Sequence, residues 1–399
     1  MEDLTLDTLL RASRPGGPTA LGSVGQLRPA AGEHALVAPA KYTDSAGAVY
    51  VYEDRFIEGA FREVVLLDSR SSTANRMEDA IALAIEDGDE LLARMPHITV
   101  SYTDKEGQIH RYRDYTLPHR AFDAHVRLGT VDGKPVSQVP EFRAARDASP
   151  HDAWPLFALS PVTVLLGGWD SSRRTNQARF PSAITGEIIG VIEAEGRTAQ
   201  AAQRSGARLD PVGASVRLDS AVAVELAEGQ ADEISPKLLQ KISKQKGTVS
   251  ASNLGLGAIP PGTEALDGIA VATAIRSYSL SFSTLRRLRF GKGAEGDAAI
   301  RALLAALGLV AMVRNDAETF LRANCHLVES APTQMVLDKR QGNLAAVKPP
   351  TIAEADALLQ AAYDHAAQAA GIDWRGQSFD VIGNPAVIAG AEAKDAGEE

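Results

Sequence analysis

Residues 66–78 read Leu-Leu-Asp-Ser-Arg-Ser-Ser-Thr-Ala-Asn-Arg-Met-Glu, and Val64 and Val65 precede them. An apolar strand thus runs into a hydroxyl-rich loop. A helix follows from near Thr73, with Ala74, Met77, Ile81 and Ile85 at helical spacing. Ser69, Ser71, Ser72 and Thr73 supply hydroxyls and candidate N-caps. The free amides of the first helical turn point out of the loop, and Arg70 and Arg76 flank it. Such a junction can hold an anion, typically a phosphate. With no glycine P-loop and no P-loop lysine, a polymer phosphate fits better than a nucleoside triphosphate. The same residues also describe an ordinary capped helix after a strand.

At 399 residues, 45% hydrophobic and 23% charged, the chain is long enough for two or three compact lobes. A single cysteine, Cys325, excludes an internal disulfide and a cysteine-based zinc site. No apolar run reaches membrane-spanning length and the start lacks a basic signal-peptide region, so a cytoplasmic location is expected. The tightest histidine group is His119, Asp123 and His125. His125 falls off the helix face that His119 and Asp123 share, so no metal site is expected there.

The net charge of −10 argues against a generic nucleic-acid binder, but net charge is not local charge. From Arg173 to Arg217 seven arginines (173, 174, 179, 197, 204, 208 and 217) face four acids. From Arg276 to Lys292 there are five basic residues (Arg276, Arg286, Arg287, Arg289 and Lys292) and no acid. One basic face on an acidic particle would produce this, as would arginines paired with distant acids.

Along the chain, residues 3–13 read as a short amphipathic helix and residues 15–25 as a Pro/Gly-rich stretch. Residues 48–67 alternate like strands, and a helix ends near Gly88. Residues 97–102 and 109–115 read as paired strands, and 129–153 as an irregular insertion. Residues 156–166 are apolar and β-rich, breaking at Gly167-Gly168-Trp169, where the backbone approaches something closely. Residues 184–192 fit a helix or a strand equally well. Residues 226–262, with Lys237, Lys241, Lys244 and Lys246 near helical spacing, read as a mobile protrusion. Residues 269–282 alternate as a half-buried strand; 297–315 form a buried Ala/Leu-rich helix and 352–370 another. The mixture predicts an α+β fold with long insertions.

Leu67-Asp68-Ser69 with Ser72 and Ala74-Asn75-Arg76-Met77-Glu78; Pro118-His119-Arg120; Leu166-Gly167-Gly168-Trp169-Asp170-Ser171; Arg208-Leu209-Asp210-Pro211; and Leu285-Arg286-Arg287-Leu288-Arg289-Phe290 occur in one order. This ordered set resembles the RAMP-superfamily backbone subunit, the Cas "seven" group, of type I-G (formerly I-U) CRISPR Cascade complexes, over roughly residues 4–330. The resemblance implies a modified RRM/ferredoxin-like palm with inserted finger and thumb elements. It also implies a non-catalytic subunit that polymerises head-to-tail along a crRNA and exposes its bases to target DNA. Its implied partners are copies of itself, other Cascade subunits and a helicase-nuclease. No membrane and no cofactor are implied. On this reading residues 1–225 and 263–330 form the palm, with a finger at about 97–153. Residues 226–262 are thumb-like, 331–390 a C-terminal helical extension and 391–399 a disordered tail.

A subunit that holds any guide contacts phosphates and 2′-hydroxyls rather than base edges. At 5% aromatic, the chain lacks the paired aromatics of a base-stacking sheet. The expected RNA-binding residues are Ser69, Arg70, Ser71, Ser72, Asn75, Arg76, Trp169, Arg173, Arg174, Arg179, Arg208, Arg286, Arg287 and Lys292. Lys237, Lys241, Lys244 and Lys246 are expected to touch RNA or target DNA. For Arg76 a helix-surface ion pair and for Trp169 a core position are the competing structural readings, and Arg208 has Asp210 as a neighbour to pair with. Two other functions remain open: a metal-dependent nuclease using Asp68, His97, His119 and Asp170, and a protein-only scaffold.

Overall fold

The computed structural model describes residues 1–44, 47–104, 107–175, 177–192, 202–203, 210–213, 215–231, 233–258 and 266–388. They divide into two compact units, residues 1–199 with 269–383, and 200–268 with 384–399.

In the first unit, helix α1 (Leu6–Ser13) is capped by Thr5, whose hydroxyl accepts from the Thr8 amide. Strand β1 (Ala20–Pro29) follows, beginning within the Pro/Gly-rich stretch 15–25. Its inward residues are Leu21, Ser23, Gly25 and Leu27 and its outward ones Val24, Gln26 and Arg28. The small residues on both faces hide the strand's alternation from a hydropathy reading. Strands β2 (Tyr52–Ile57) and β3 (Ala60–Asp68) form a hairpin, and helix α2 (Arg70–Glu86) starts directly from β3.

Strand β4 (Ile184–Val191) resolves the ambiguity at 184–192. It is central, flanked by β3 and by β5 (Thr273–Ser281); Thr185 and Glu187 alternate with buried neighbours, but Ile188–Val191 are all buried, and that unbroken apolar half mimics a buried helix. Gly186 makes room for the Tyr278 ring: a Cβ there would lie 2.4 Å from Tyr278 Cδ1. Helix α3 (Gly293–Ala317) is the core element. It is long and apolar enough to cross a membrane, contrary to the sequence reading, but 94% of that apolar window is buried inside the protein. Strands β6 (Gln334–Asp338) and β7 (Leu344–Val347) precede helix α4 (Ile352–Ala370). A Thr351/Glu354 capping box opens α4 and left-handed Gly371 closes it.

The central sheet runs β7-β6-β1-β5-β4-β3-β2, antiparallel throughout, with residues 327–329 pairing β1 beyond β6. The stretch 331–390 is therefore not purely helical: it adds strands to this sheet and packs α4 on α3. It also supplies Ser378–Ile382 to a second, five-stranded sheet with His97–Thr103, Ile109–Arg113, Thr130–Val131 and Lys134–Pro135.

Residues 156–166, expected as strand, form two short helices, Trp154–Leu159 and Pro161–Leu166. Pro155 and Pro161 sit in their first turns, where a missing amide costs nothing. The insertion at 129–153 contains a helix too, Pro140–Asp147.

The second unit is more than a protrusion. Helices Ser220–Glu228 and Pro236–Ser243 pack, with the strand pair Arg217–Asp219 and Thr248–Ser250, around Ala223, Ala227, Ile242 and Val249. The tail at 391–399 lies outside the described residues.

Candidate nucleic-acid interface

The hydroxyl loop is built on a buried carboxylate. Asp68 ends β3 with no exposed surface. It accepts from Thr73 Oγ1 at 2.9 Å, Arg76 Nε at 3.2 Å and Arg322 Nη2 at 3.4 Å. Arg76 also donates to the carbonyls of Phe320 and Leu321, so its guanidinium is a structural clamp between α2 and the chain after α3. This corrects the expectation that Arg76 faces RNA: a buried acid two residues before the helix claims the arginine on its second turn. Ser69 is the N-cap, its hydroxyl accepting from the Ser72 amide at 3.3 Å. Arg70, Ser71 and Asn75 are exposed and Ser72 is half-buried.

Arg70 Nε lies 3.4 Å from Glu187 Oε2, and Arg55 Nη1 lies 2.8 Å from Glu187 Oε1. Burial pushes the Glu187 carboxyl up, but hydrogen bonds and charge from Arg55 and Arg70 outweigh it, and Glu187 ends below the usual carboxylate range. The start of α2 therefore meets one face of the central sheet. Register assigns that face its residues: Val24, Ser277 and Glu187 lie in one row, and Gly22, Ser279 and Thr185 in the next. None of these is buried. The opposite face carries Leu21, Leu280 and Ile184, then Ser23, Tyr278 and Gly186, all buried. The open rows are hydroxyl-bearing, small and free of aromatic rings. Alternation in the sequence revealed the serines of β5; Thr185 and Gly22 became visible only through pairing.

Several of the ordered motifs meet at one ion pair. Arg120, with a left-handed φ of 52°, donates to both oxygens of buried Glu78, 2.9 Å for Nη2, and Nη1 reaches the Gly167 carbonyl at 3.1 Å. Burial raises the Glu78 carboxyl, against the pull of Arg120. The glycines at 167 and 168 approach this chain's own backbone and core. A Cβ on Gly167 would sit 2.8 Å from Phe180 O and Ser182 N, and one on Gly168 would sit 2.8 Å from Thr163. Asp170 is buried and paired with Arg146 at 2.6 Å.

Trp169 is not a core residue; it is 51% exposed. Arg179 lies 4.4 Å over its ring and Nε1 donates to Gln177. Arg174 is exposed without an ion pair among the described residues. Arg173 does not reach outward: it donates to the Arg146 carbonyl at 2.8 Å and pairs with Asp147 at 2.6 Å.

The basic run from Arg276 to Lys292 disperses on folding. Arg276 is 2% exposed and paired with Asp316 at 3.0 Å and Glu329 at 2.8 Å. Arg286 donates to the carbonyls of Ala12 and Pro18, and burial with nearby Arg340 pulls its pKa down. Lys292 sits 3.8 Å from the Trp154 ring centroid. Arg286 and Lys292 thus stitch α1 and the core together, and only Arg287 of the three is fully exposed. In the second unit Lys237, Lys241 and Lys244 line one pocket of about 530 Å³ with Ser235, Ser252 and Asn253, and Lys246 is exposed. Arg208 lies outside the described residues.

The nuclease residues do not converge. Asp68 and Asp170 are committed to arginines, and His97 lies on the second sheet with Nδ1 bonded to the Met95 carbonyl. Asp123 caps the turn after it by accepting from the His125 amide, while His125 Nδ1 bonds Tyr102 Oη. Among the described residues no group of three or more His, Cys, Asp or Glu is placed to hold a metal.

No curated protein sequence matches the chain. Across 98% of this chain and 80% of the other, it is similar to the crystal structure of Csc2 from Thermofilum pendens, at 8% identity and a TM-score of 0.29, a likeness too distant to carry an argument. Residues 23–194, which span β1, the hydroxyl loop, the Arg120–Glu78 pair and β4, match the family described as CRISPR-associated protein GSU0053. That match, over less than half of the chain, agrees with the CRISPR-family resemblance drawn from the ordered motifs.

Proposed function

We infer that the protein is a non-catalytic crRNA-binding backbone subunit of a CRISPR effector complex, gripping the sugar-phosphate chain and leaving the bases to pair with target DNA. The observation that carries this reading is the open sheet face of Gly22, Val24, Thr185, Ser277 and Ser279, with the start of α2 and Arg70 at its edge. Hydroxyls, small residues and helix-start amides contact phosphates and 2′-hydroxyls, and without aromatic rings the face gives bases nothing to stack on. The sheet order supports a ferredoxin-like palm. β6, β1, β5 and β4 follow the 4-1-3-2 order of a split βαβ fold, with α2 and α3 as its two helices.

Ser69, Arg70, Ser71, Ser72, Asn75, Trp169, Arg174, Arg179 and Arg287 are the RNA-facing residues on this reading. Lys237, Lys241, Lys244 and Lys246 touch RNA or target DNA from the second unit. Copies of the chain associate head-to-tail, because an open heterologous contact generates a helical array that follows a strand. Other Cascade subunits and a helicase-nuclease complete the complex, in the cytoplasm.

Co-expression with a CRISPR array tests this. The purified protein is expected to carry array-derived RNA, with a raised 260/280 ratio. Ser279→Asp, which places a carboxylate at an exposed position of the open face opposite Gly22 and Thr185, is expected to weaken guide binding by about tenfold or more, at unchanged melting temperature. RNA-free protein that fails to shift guide RNA in low salt overturns the reading.

A further inference from the structure

The face of the five-stranded sheet opposite its core carries a second constellation that the guide-binding reading leaves unused. Strand 109–113 places Arg111 opposite Ser101 and Arg113 opposite Thr99, and strand 378–382 places Ser378 opposite His97 and Asp380 opposite Thr99. The intervening residues Ile98, Val100, Phe379 and Val381 are buried on the other side. The C-terminal half of α2 forms a wall above this polar face. Between them lies a pocket of about 390 Å³ lined by Ala82, Glu86, His97, Thr99, Arg111, Arg113, Tyr115, Thr116, Ser378 and Asp380.

The polar groups here are arranged, but two cations are left over. Arg111 is exposed and neither arginine pairs with a carboxylate among the described residues; Arg113 donates only to Tyr115 Oη, at 2.7 Å. Ser378 bonds Thr99 at 2.8 Å and Asp380 at 2.7 Å, which holds Asp380 on its own strand and away from the guanidinia. His97 donates Nδ1–H to the Met95 carbonyl at 3.1 Å, so its Nε2 is left for a guest. Burial, with nearby Arg113, keeps this imidazole neutral to lower pH than usual, although Asp380 pulls the other way.

We propose that this pocket binds a phosphate ester of a nucleotide, with Arg111 and Arg113 on the phosphate and Asp380 and Glu86 accepting from its hydroxyls or amines. Two unpaired guanidinia on alternate strand residues are a phosphate fork. The two carboxylates exclude a simple anion site, because a bare phosphate would face them unshielded, whereas a nucleotide brings donors to satisfy them. The pocket lies at the other end of α2 from the hydroxyl loop, at least about two and a half helical turns away, so it is a separate site and does not depend on the guide-binding reading.

Calorimetric titration of the full-length protein with AMP, and separately with inorganic phosphate, tests it. AMP is expected to bind more tightly than phosphate. Arg111→Gln, at an exposed position that spares the core, is expected to weaken AMP about tenfold with no change in melting temperature. The His97 Nε2 resonance is expected to move on adding AMP and to stay still in that variant. A 5′-phosphorylated RNA tetramer that competes better than AMP identifies a strand end as the source; poorer competition identifies a free nucleotide. No heat with millimolar AMP, equal affinity in Arg111→Gln, or phosphate binding as tightly as AMP overturns the proposal.

Discussion

Arg70 and Arg76 stand six residues apart on one helix and do opposite jobs. Arg76 holds a fully buried carboxylate, and Arg70 touches a mostly buried one from solvent. Arg76→Ala removes one of two guanidinia from Asp68, and the fold is expected to lose about 2–4 kcal/mol, read by chemical denaturation. Arg70→Ala is expected to leave stability unchanged and to reduce the salt slope of guide binding by about one ion. A second residue-scale prediction concerns pH. Asp114 is buried, and loss of solvent pushes its carboxyl up to about 6, against hydrogen bonds from Ser160 and the Ile98 amide. Above the unfolded value and below about 6, the folded state holds a proton that the unfolded chain has released. Stability from this group is therefore full at the acidic end and falls as pH rises through that window. Asp114→Asn should flatten the pH dependence of the melting temperature between about 4 and 6.

At the scale of elements, strand and helix junctions are set by buried charge and by glycine. The turn into Gly168–Trp169 needs Gly167 at φ 87°, with no room for a Cβ against Phe180 and Ser182. Gly167→Ala is expected to cost about 1–3 kcal/mol and to raise amide exchange across residues 168–180, measured by mass spectrometry. The helices with regular apolar spacing were legible in sequence, as α2, α3 and α4 show. Those at 154–166 were not, because two prolines and β-branched residues in short apolar runs favour a strand reading. β4 was ambiguous for a related reason: its second half, Ile188–Val191, is buried on both faces and masks the alternation of Ile184–Glu187.

At the scale of the whole molecule, each of the two units packs around buried residues of its own. Ile242 belongs to the small one, with Ala223, Ala227 and Val249. Ile242→Asp is expected to melt that unit alone: amides in 217–256 lose protection while those of α3 keep theirs. Hydropathy period, turn residues and charge runs act within a few residues of one another, so the sequence by itself determined the α+β class, the strand-to-helix junction at Asp68–Thr73, the core helices and the ordered motifs that resemble a CRISPR family. Which arginines remain free is another matter. Arg76, Arg173, Arg276 and Arg286 are consumed by carboxylates and carbonyls that fold onto them, several from hundreds of residues away. Arg70, Arg174 and Arg287 keep their heads in solvent, and Trp169 stays half-exposed. Only the tertiary structure decided this, because a guanidinium's partner is set by distance in space and the chain order carries no record of it.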